Sequence, residues 1–430
     1  MNLKTFDKGT RLLKQTDLAI RGQSLQGETN KTVIGILDCT NNGNPAILEN
    51  LKCGIRQGGG LSLTFNLNNY DFHQRIAPAT AKYANNYINA IATNTAAIIR
   101  TQMLDGVVAI VDNYVMGLGV LIGCTNTNCP VLLMPVGKLK HADISVICAP
   151  ARIAIREIKA GDIDQVVNSY AYQSGTFALD TLTTDFYRLA EAFELMLPGA
   201  TTVLANSCAV LDLATQTATT ILQRADDIIT TKRLISKRTA SEKIEQYKNN
   251  HGSVSGLFMF QKIFELVDLK ITPNMFDSLK TTLADQAFVV SRNNTPLQSN
   301  APLVMEGQAW VYNTIIDAMS ALTSNAIDSG IIVLQTCTDC DVSLIAHTIT
   351  TMQKANSIAI LTDGYCSETP VLTVAHISPD GYANQDFNNI QNGDMIEIDV
   401  TKGRITTNIN SRDMKIRAKR NIAKKHEIYF

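Results

Sequence analysis

Short apolar runs alternate with amphipathic segments from Thr32 onward, a pattern typical of buried parallel strands separated by helices. The predicted strands of this first part are Val33–Leu37, Leu61–Leu67, Val107–Val111 and Val131–Pro135. The predicted helices are Pro45–Arg56, Thr80–Leu104 and a shorter one near Met116–Cys124. Because crossovers between parallel strands are right-handed, the pattern predicts one layered α/β domain with a largely parallel sheet.

Beyond Asp185 the apolar positions recur every three to four residues, which indicates a helical extension of this domain. We predict helices at Asp185–Leu197 and at Thr201–Arg224. A basic run follows them, but acidic residues come directly after it, so an exposed helix is favoured over a nucleic-acid surface. The N-terminal domain is predicted to span residues 1–282, with 201–282 mainly helical.

Residues 283–430 have short strands and frequent turn signals, which indicate a second, β-rich domain. Its predicted strands are Gln286–Ser291, Ile331–Gln335, Ser357–Leu361, Val371–His376, Met395–Val400 and Arg404–Asn408. Its predicted helices are Trp310–Ser324 and Ser343–Ala355. The last two strands are expected to form a hairpin that turns at Gly403. The basic tail from Arg412 fits a packed arm better than an anion-binding strand.

Composition narrows the class of protein. The chain has 430 residues, of which 45% are hydrophobic, enough to bury the cores of two or three domains. Its 38 basic and 39 acidic side chains nearly cancel, which argues against a nucleic-acid or anionic-membrane partner. No apolar run follows Lys4 and Lys8, and no apolar stretch reaches the length of about 20 residues that a membrane span needs. We therefore expect a cytoplasmic protein.

Nine cysteines in so large a chain indicate reduced thiols rather than a disulfide framework. Two close pairs, Cys124 with Cys129 and Cys337 with Cys340, are candidates for metal binding, but tetrahedral zinc generally takes two such pairs or a pair with histidines. Packing as small buried residues is the alternative that we favour. Gly117-Leu118-Gly119 imitates a dinucleotide-binding loop, but Ile122 stands where the third glycine is needed.

The segment Ser357–Val400 carries the most specific motif of the chain. A predicted strand ends in Leu361-Thr362-Asp363-Gly364, Ser367 follows, and His376, Pro379 and Asp380 form a His-x-x-Pro-acid turn. This frame resembles the C-terminal region of the dihydroxy-acid and sugar-acid dehydratases, in which the serine is catalytic. The resemblance implies an α/β domain followed by a swivel-type β-barrel domain, and it implies Ser367 and His376 as candidate catalytic residues.

The resemblance also implies a chemistry that can be checked against the residues. Family members use a [2Fe-2S] cluster as Lewis acid and Mg²⁺ to hold the substrate, which requires thiolates and hard oxygen ligands. The positions of those ligands are occupied here by Ala46, by Asn113-Tyr114-Val115, by Phe177 or a neighbour, and by Thr336, while Asp71 is displaced by one residue. We therefore expect no cofactor, neither the cluster nor Mg²⁺.

A kept frame with lost ligands predicts a diverged, non-catalytic or repurposed member with a binding, assembly or regulatory role. We expect a homodimer or higher homo-oligomer and a small hydroxy-acid ligand. The alternative is an active hydro-lyase or isomerase that uses Ser367 and a non-standard metal site. In that alternative His376 has no nucleophile elbow beside it and also fits a structural role. A third hypothesis is a partner subunit for an intact homologue.

Overall fold

The computed structural model describes residues 31–40, 44–67, 84–139, 149–157, 159–162, 175–176, 181–250, 252–269, 278–281, 287–289, 304–335, 342–364, 366, 369–375, 377 and 387–428. The first strands are β1 (Val33–Cys39), β2 (Leu61–Asn66), β3 (Gly106–Val111) and β4 (Val131–Pro135). The helices between them are α1 (Pro45–Gln57), α2 (Ala84–Gln102) and α3 (Tyr114–Thr127).

These strands form a parallel sheet in the order β2-β1-β3-β4. Every residue of β3 and β4 is buried, which is why both appear in the sequence as unbroken apolar runs. Helix α3 is also buried along most of its length. Its Gly117 lies against Phe186, since a Cβ at this position would be 2.6 Å from the ring. The glycine pair that imitates a dinucleotide loop therefore serves helix packing.

A helical layer follows the sheet, as the apolar spacing predicts. Its helices are α4 (Ala149–Ala154), α5 (Thr181–Ala192), α6 (Cys208–Asp227), α7 (Thr231–Leu234), α8 (Lys237–Asn249), α9 (Val254–Met259) and α10 (Gln261–Leu266). Helix α6 packs against α1 and β3, and α5 packs against α8 and α9. Aromatic side chains fill this layer; Phe193, directly after α5, and Phe264 of α10 are in edge contact with their ring centroids 5.6 Å apart.

Two predicted helix boundaries in this layer are wrong. The helix predicted at Asp185–Leu197 ends at Ala192, because Glu194 adopts a left-handed conformation with φ 59° and Met196 then pairs with β4. The helix predicted from Thr201 begins only at Cys208. Before this helix, Leu204 forms a parallel bridge with Lys138, which follows β4. This non-local pairing overrides the local helical signal.

A buried carboxylate ties α5 to the loop before α9. The side chain of Asp185 is 0% exposed and accepts hydrogen bonds from the Ser253 backbone N at 3.1 Å and from the Ser253 hydroxyl. The Tyr247 hydroxyl donates to the Ser253 carbonyl at 2.8 Å. Burial raises the pKa of Asp185, and the hydrogen bonds from Ser253 and Tyr247 oppose that rise in its pKa. This contact fixes the start of α9 inside the helical layer.

The second part of the chain forms an eight-stranded closed barrel. Its strands are β5 (Ser278–Thr281), β6 (Ala287–Val289), β7 (Val304–Tyr312), β8 (Gly330–Leu334), β9 (Ile358–Thr362), β10 (Thr373–Ala375), β11 (Met395–Asp399) and β12 (Arg404–Thr407). The order around the barrel is β10-β6-β5-β12-β11-β7-β8-β9, with β7 to β9 and β10 mutually parallel and the hairpin β11–β12 antiparallel. The predicted fold class, a parallel α/β domain followed by a barrel, is confirmed.

The barrel also carries helices on its outside, namely α11 (Ile315–Thr323), α12 (Ser343–Thr351) and α13 (Ser411–Ile428). The helix predicted from Trp310 is wrong in its first part, because Trp310 belongs to β7 and pairs with Ile332 of β8. Helix α11 starts later, where the Thr314 hydroxyl accepts the Asp317 backbone N–H at 3.1 Å. The predicted hairpin is confirmed, and Gly403 has the expected positive φ of 62°.

The basic tail is a helix, which excludes the strand alternative. Arg417 of α13 joins it to the barrel through two contacts with Asp394, at 2.6 and 3.0 Å. Helix α4 of the first part packs against α11 and α12 of the barrel. None of the described helices is both long and apolar enough to cross a bilayer.

Candidate functional site

The strand order of the sheet creates a crevice at its carboxyl edge. The chain leaves β1 through α1 toward β2 on one side, and it leaves β3 through α3 toward β4 on the other. In open α/β sheets such a switch in direction opens a crevice outside the strand ends, where ligands bind. Cys39 and Val111 are the last paired residues of β1 and β3. The residues that follow them, Thr40 and Asp112, therefore begin the two loops that border the crevice.

Two carboxylates lie at this edge. Asp38 is half-buried, and its Oδ1 accepts hydrogen bonds from the Thr40 backbone N at 3.1 Å and from the Thr40 hydroxyl at 2.7 Å. Asp112 is 7% exposed, and its Oδ1 accepts the Asn113 side-chain amide at 2.8 Å. Both carboxylates are near enough to raise the pKa of the Cys39 thiol. Such a pair can accept hydrogen bonds from ligand hydroxyls or contribute oxygen ligands to a hard cation.

The thiols near the edge face the core instead of the crevice. Cys39 is 0% exposed, and burial, followed by Asp38 and Asp112, raises its pKa. Burial also raises the pKa of Cys124, with Cys129 and Cys39 adding to the effect. Iron and zinc bind the thiolate, and the side chains of Cys39 and Cys124 are both 0% exposed. No group of three or more His, Cys, Asp or Glu side chains in the described part of the chain is arranged to hold a metal ion.

The turn from β3 into α3 is fixed by its own sequence and by α5. The Asn113 side-chain oxygen accepts the Met116 backbone N–H at 3.0 Å and so caps α3. The Tyr187 hydroxyl donates to the Val111 carbonyl at 3.0 Å, and the Thr183 hydroxyl accepts the Tyr114 backbone N–H, also at 3.0 Å. With an amide cap and two contacts from α5, the loop that carries Asp112 has a defined conformation.

The end of β4 completes the edge. Lys138 forms parallel bridges with both Thr176 and Leu204, and the Thr176 hydroxyl donates to the Asp112 carbonyl at 3.3 Å. Gly137, just before, has a φ of 90°, and a Cβ there would lie 2.6 Å from the Ala205 backbone N. Only glycine fits this close approach of two backbones. The short segment at Thr176, next to the position predicted for a lost cysteine, therefore adjoins the crevice.

The predicted site residues are only partly within the described structure. Ser367, His376, Asp71, Phe177, Thr336, Cys337 and Cys340 lie outside the described residues. Ala46 is exposed in the first turn of α1, and Asn113 is the helix cap described above. In the barrel, Asp363 directly follows β9 and is 2% exposed.

Sequence reasoning missed Asp38, Asp112, Thr183 and Tyr187. The contacts of Thr183 and Tyr187 join residues 69 and 76 positions apart, for which no local pattern exists. Asp38 and Asp112 had a signal, since each stands at the end of a predicted parallel strand.

Two family profiles match this chain and together cover most of it. The profile described as the dihydroxy-acid/6-phosphogluconate dehydratase N-terminal domain matches residues 31–284, and the corresponding C-terminal profile matches residues 274–429. A protein of Ignicoccus hospitalis named dihydroxy-acid dehydratase is 21% identical over 240 residues, which are 54% of this chain and 44% of that protein. The match thus spans less than half the length of this relative.

Proposed function

Starting from the fact that this chain belongs to the dihydroxy-acid/6-phosphogluconate dehydratase family, we propose that it is a diverged member that binds a small hydroxy acid and does not dehydrate it. The cluster and the Mg²⁺ site that the family implies are, in this proposal, replaced by a crevice of hydrogen-bonding side chains.

The single observation that supports it most is the role of Asn113. The family resemblance requires Cys-Asp-Lys after this strand, that is, a thiolate, a carboxylate and a modified lysine. In this chain both polar atoms of the Asn113 amide are engaged. Its oxygen caps α3, and its nitrogen donates to Asp112. Iron–sulfur clusters are held by thiolates, and an amide committed to a helix cap cannot replace one. The described donors at this edge do not fit the cluster.

The neighbouring thiols give independent support. A ligand cysteine would need to expose its sulfur at the crevice and to lose its proton. Cys39 and Cys124 are buried in the same apolar core as β1 and β3, and burial raises the pKa of both thiols. Bringing either to the crevice would require the core strands or α3 to move. This cost argues against the substitution of one of these thiols for a lost ligand.

The crevice retains groups that suit a polyhydroxylated acid. Asp38 and Asp112 accept hydrogen bonds and can pair with ligand hydroxyls, while Lys138 at the end of β4 contributes positive charge near the same edge. A carboxylate ligand would be repelled by the two aspartates unless it lay toward the lysine side. The hydroxyl end of the ligand is therefore expected between β1 and β3, and its carboxylate toward β4.

The test has two measurements on protein purified without oxygen. Iron, acid-labile sulfide and magnesium are determined against protein concentration, and binding of a panel of aldonic and 2,3-dihydroxy acids is followed by calorimetry. We expect substoichiometric iron, no thiolate-to-iron absorption, and binding of at least one acid that Asp112→Asn weakens. Stoichiometric cluster iron would overturn the loss of the cofactor. Absence of binding across the panel would overturn the hydroxy-acid ligand.

A hydro-lyase or isomerase is the second candidate, and the carboxylates of Asp38 and Asp112 favour it. The family's Cys-Asp-Lys motif can also be placed two residues earlier, so that it begins at Val111, the last residue of β3, instead of at Asn113. Asp112 then takes the place of the metal-binding aspartate, and one hard ligand would be retained. In that case Ser367 would take the proton next to the substrate carboxylate. Release of keto acids from the same panel, with Mg²⁺ or Mn²⁺ added, tests this. Activity that Ser367→Ala leaves unchanged would remove the serine from the reaction.

The assembly state is proposed on the same family basis as a homodimer or higher homo-oligomer. Light scattering of the purified chain measures it directly. A monomeric mass of the purified chain would contradict the homo-oligomer, and co-purification of an intact homologue from the native cell would instead support a partner-subunit role.

A further inference from the structure

The barrel has a groove near the amino-terminal ends of its parallel strands β8 and β9. Its volume is ≈ 530 Å³, and it is lined by Glu306, Gly307, Trp310, Asp328 and Gly330 among others. Gly330 is the first residue of β8, and Ser357, also at the groove, directly precedes β9. Because these are amino-terminal strand positions, the groove is separate from loops that follow the strands and from the crevice of the parallel sheet.

Two glycines shape the floor of the groove. A Cβ at Gly307 would lie 2.8 Å from the Cα of Gly330, and a Cβ at Gly330 would lie 2.5 Å from the Gln308 carbonyl oxygen and 3.0 Å from Trp310 Nε1. Gly330 also has a φ of 120°, which side-chain-bearing residues rarely adopt. The indole of Trp310 therefore lies across the start of β8, on a surface that only glycine leaves open.

The Trp310 ring is held in a fixed position as well. Its Nε1–H donates to the Ser329 carbonyl at 3.0 Å, so the polar edge of the indole is satisfied by the protein. A ring anchored in this way offers a preformed aromatic wall, and a ligand that packs on it pays little ordering entropy. The aromatic wall is thus a fixed element of the groove.

The charge of the groove is negative. Its lining includes two carboxylates, Glu306 and Asp328, and no lysine or arginine. Asp328 is paired with Lys354 at 3.0 Å, outside the lining. Glu306 is exposed, its side chain makes no hydrogen bond or ion pair with the described residues, and its backbone stands directly opposite Glu397 in the β7–β11 register. Glu397 is paired with Arg404 at 3.8 Å, so Glu306 carries the unbalanced negative charge and favours a positively charged ligand.

We propose that this groove is a binding site for a small organic cation, an ammonium or guanidinium group that stacks on Trp310 and pairs with Glu306. The attraction of a cation to the face of an indole adds to the charge pairing with the carboxylate. A hydroxy acid, by contrast, would be repelled by Glu306. The site is therefore expected to act independently of the proposed hydroxy-acid crevice.

Trp310 is the one tryptophan of the chain, so its fluorescence reports on the groove directly. The probe is butane-1,4-diamine, which is fully protonated at pH 7.5, and butane-1,4-diol is its uncharged match. We expect a saturable change in Trp310 emission with the diamine and none with the diol. The change should weaken as salt is raised from about 0.01 to 0.15 M, because exposed charge pairs are screened at the higher ionic strength.

Two charge-matched variants locate the site. Glu306→Gln is expected to weaken diamine binding about tenfold, and Glu397→Gln on the neighbouring strand by about twofold or less, since only the first removes a carboxylate that contacts the ligand. Both residues are outside the barrel core, so unchanged thermal midpoints show that the variants fold. Equal responses to diamine and diol, or equal effects of the two variants, would overturn the proposal. So would a Trp310 that acrylamide cannot quench in the purified protein, because another surface would then cover the groove.

Discussion

The buried contact between Asp185 and Ser253 gives the sharpest stability prediction. Asp185→Ala leaves two buried donors, the Ser253 backbone N–H and hydroxyl, without their acceptor. Each unsatisfied buried group costs about 1–3 kcal/mol, so for the two donors we expect the free energy of unfolding to fall by about 2–6 kcal/mol. Asp185→Asn should cost much less, because an amide oxygen can accept from the backbone N–H while its NH₂ group donates to the hydroxyl.

The same pair predicts a pH dependence with a definite sign. Burial raises the pKa of Asp185 above its ordinary value of 3.8 in the folded protein. The folded state therefore holds this proton more tightly than the unfolded state, and the stabilisation is complete below that ordinary value. It is lost as the pH rises through the raised pKa of the folded state. Asp185→Asn removes the titrating group, so its unfolding free energy should fall less between pH 4 and neutrality than that of the unaltered protein.

Urea unfolding followed by far-ultraviolet circular dichroism measures both effects, because the contact lies among helices. Hydrogen exchange of the amides of residues 253–259 provides a local readout at the start of α9. The reasoning would be refuted by an Asp185→Ala protein as stable as the unaltered one. An Asp185→Asn protein with an unchanged pH profile would refute the linkage argument alone.

Two further substitutions test the packing and capping around α3. Gly117→Ala would place a Cβ 2.6 Å from the Phe186 ring and should lower the free energy of unfolding by about 1–3 kcal/mol. Gly161→Ala is the control, because a Cβ there would have nothing within 4 Å. Thermal unfolding compares the two variants, and equal midpoints would contradict the packing role of Gly117. Asn113→Ala removes the cap on the Met116 N–H and should lower the free energy of unfolding by about 1 kcal/mol, whereas Asn113→Ser retains an acceptor. Urea titration measures both variants, and an equal loss of stability in the two would exclude capping as the cause.

The layered part of the fold could be predicted from the sequence because its strands are buried on both faces. Val131–Pro135 was predicted with the bounds that the structure has, since an unbroken apolar run has few alternatives. Strand β7 could not be predicted as well. It contains Glu306, Gly307 and Trp310, and its outward residues are polar, so its pairing with β8 and β11 decides its conformation.

The candidate site was predictable only in part. The assignment of Ala46 and Asn113 to ligand positions of the family stays a prediction, and the structure adds that Asn113 caps α3. The importance of Asp112 depends on which strands are neighbours and where the connections reverse. That information is carried by non-local pairing, which a single sequence states only indirectly. Tyr187 is a clearer case still, because its hydroxyl reaches a carbonyl from a helix far along the chain.

The difference in exposure between buried and surface cysteines allows transient opening of the sheet to be measured with the chain's own thiols. Cys53 and Cys208 lie at the surface, whereas Cys39, Cys124 and Cys129 are enclosed in the sheet core. An alkylating reagent under native conditions should modify the first two at once. It should reach the other three only through excursions that separate α3 from the strands, so the mass of peptides from a timed alkylation would record how often the sheet opens.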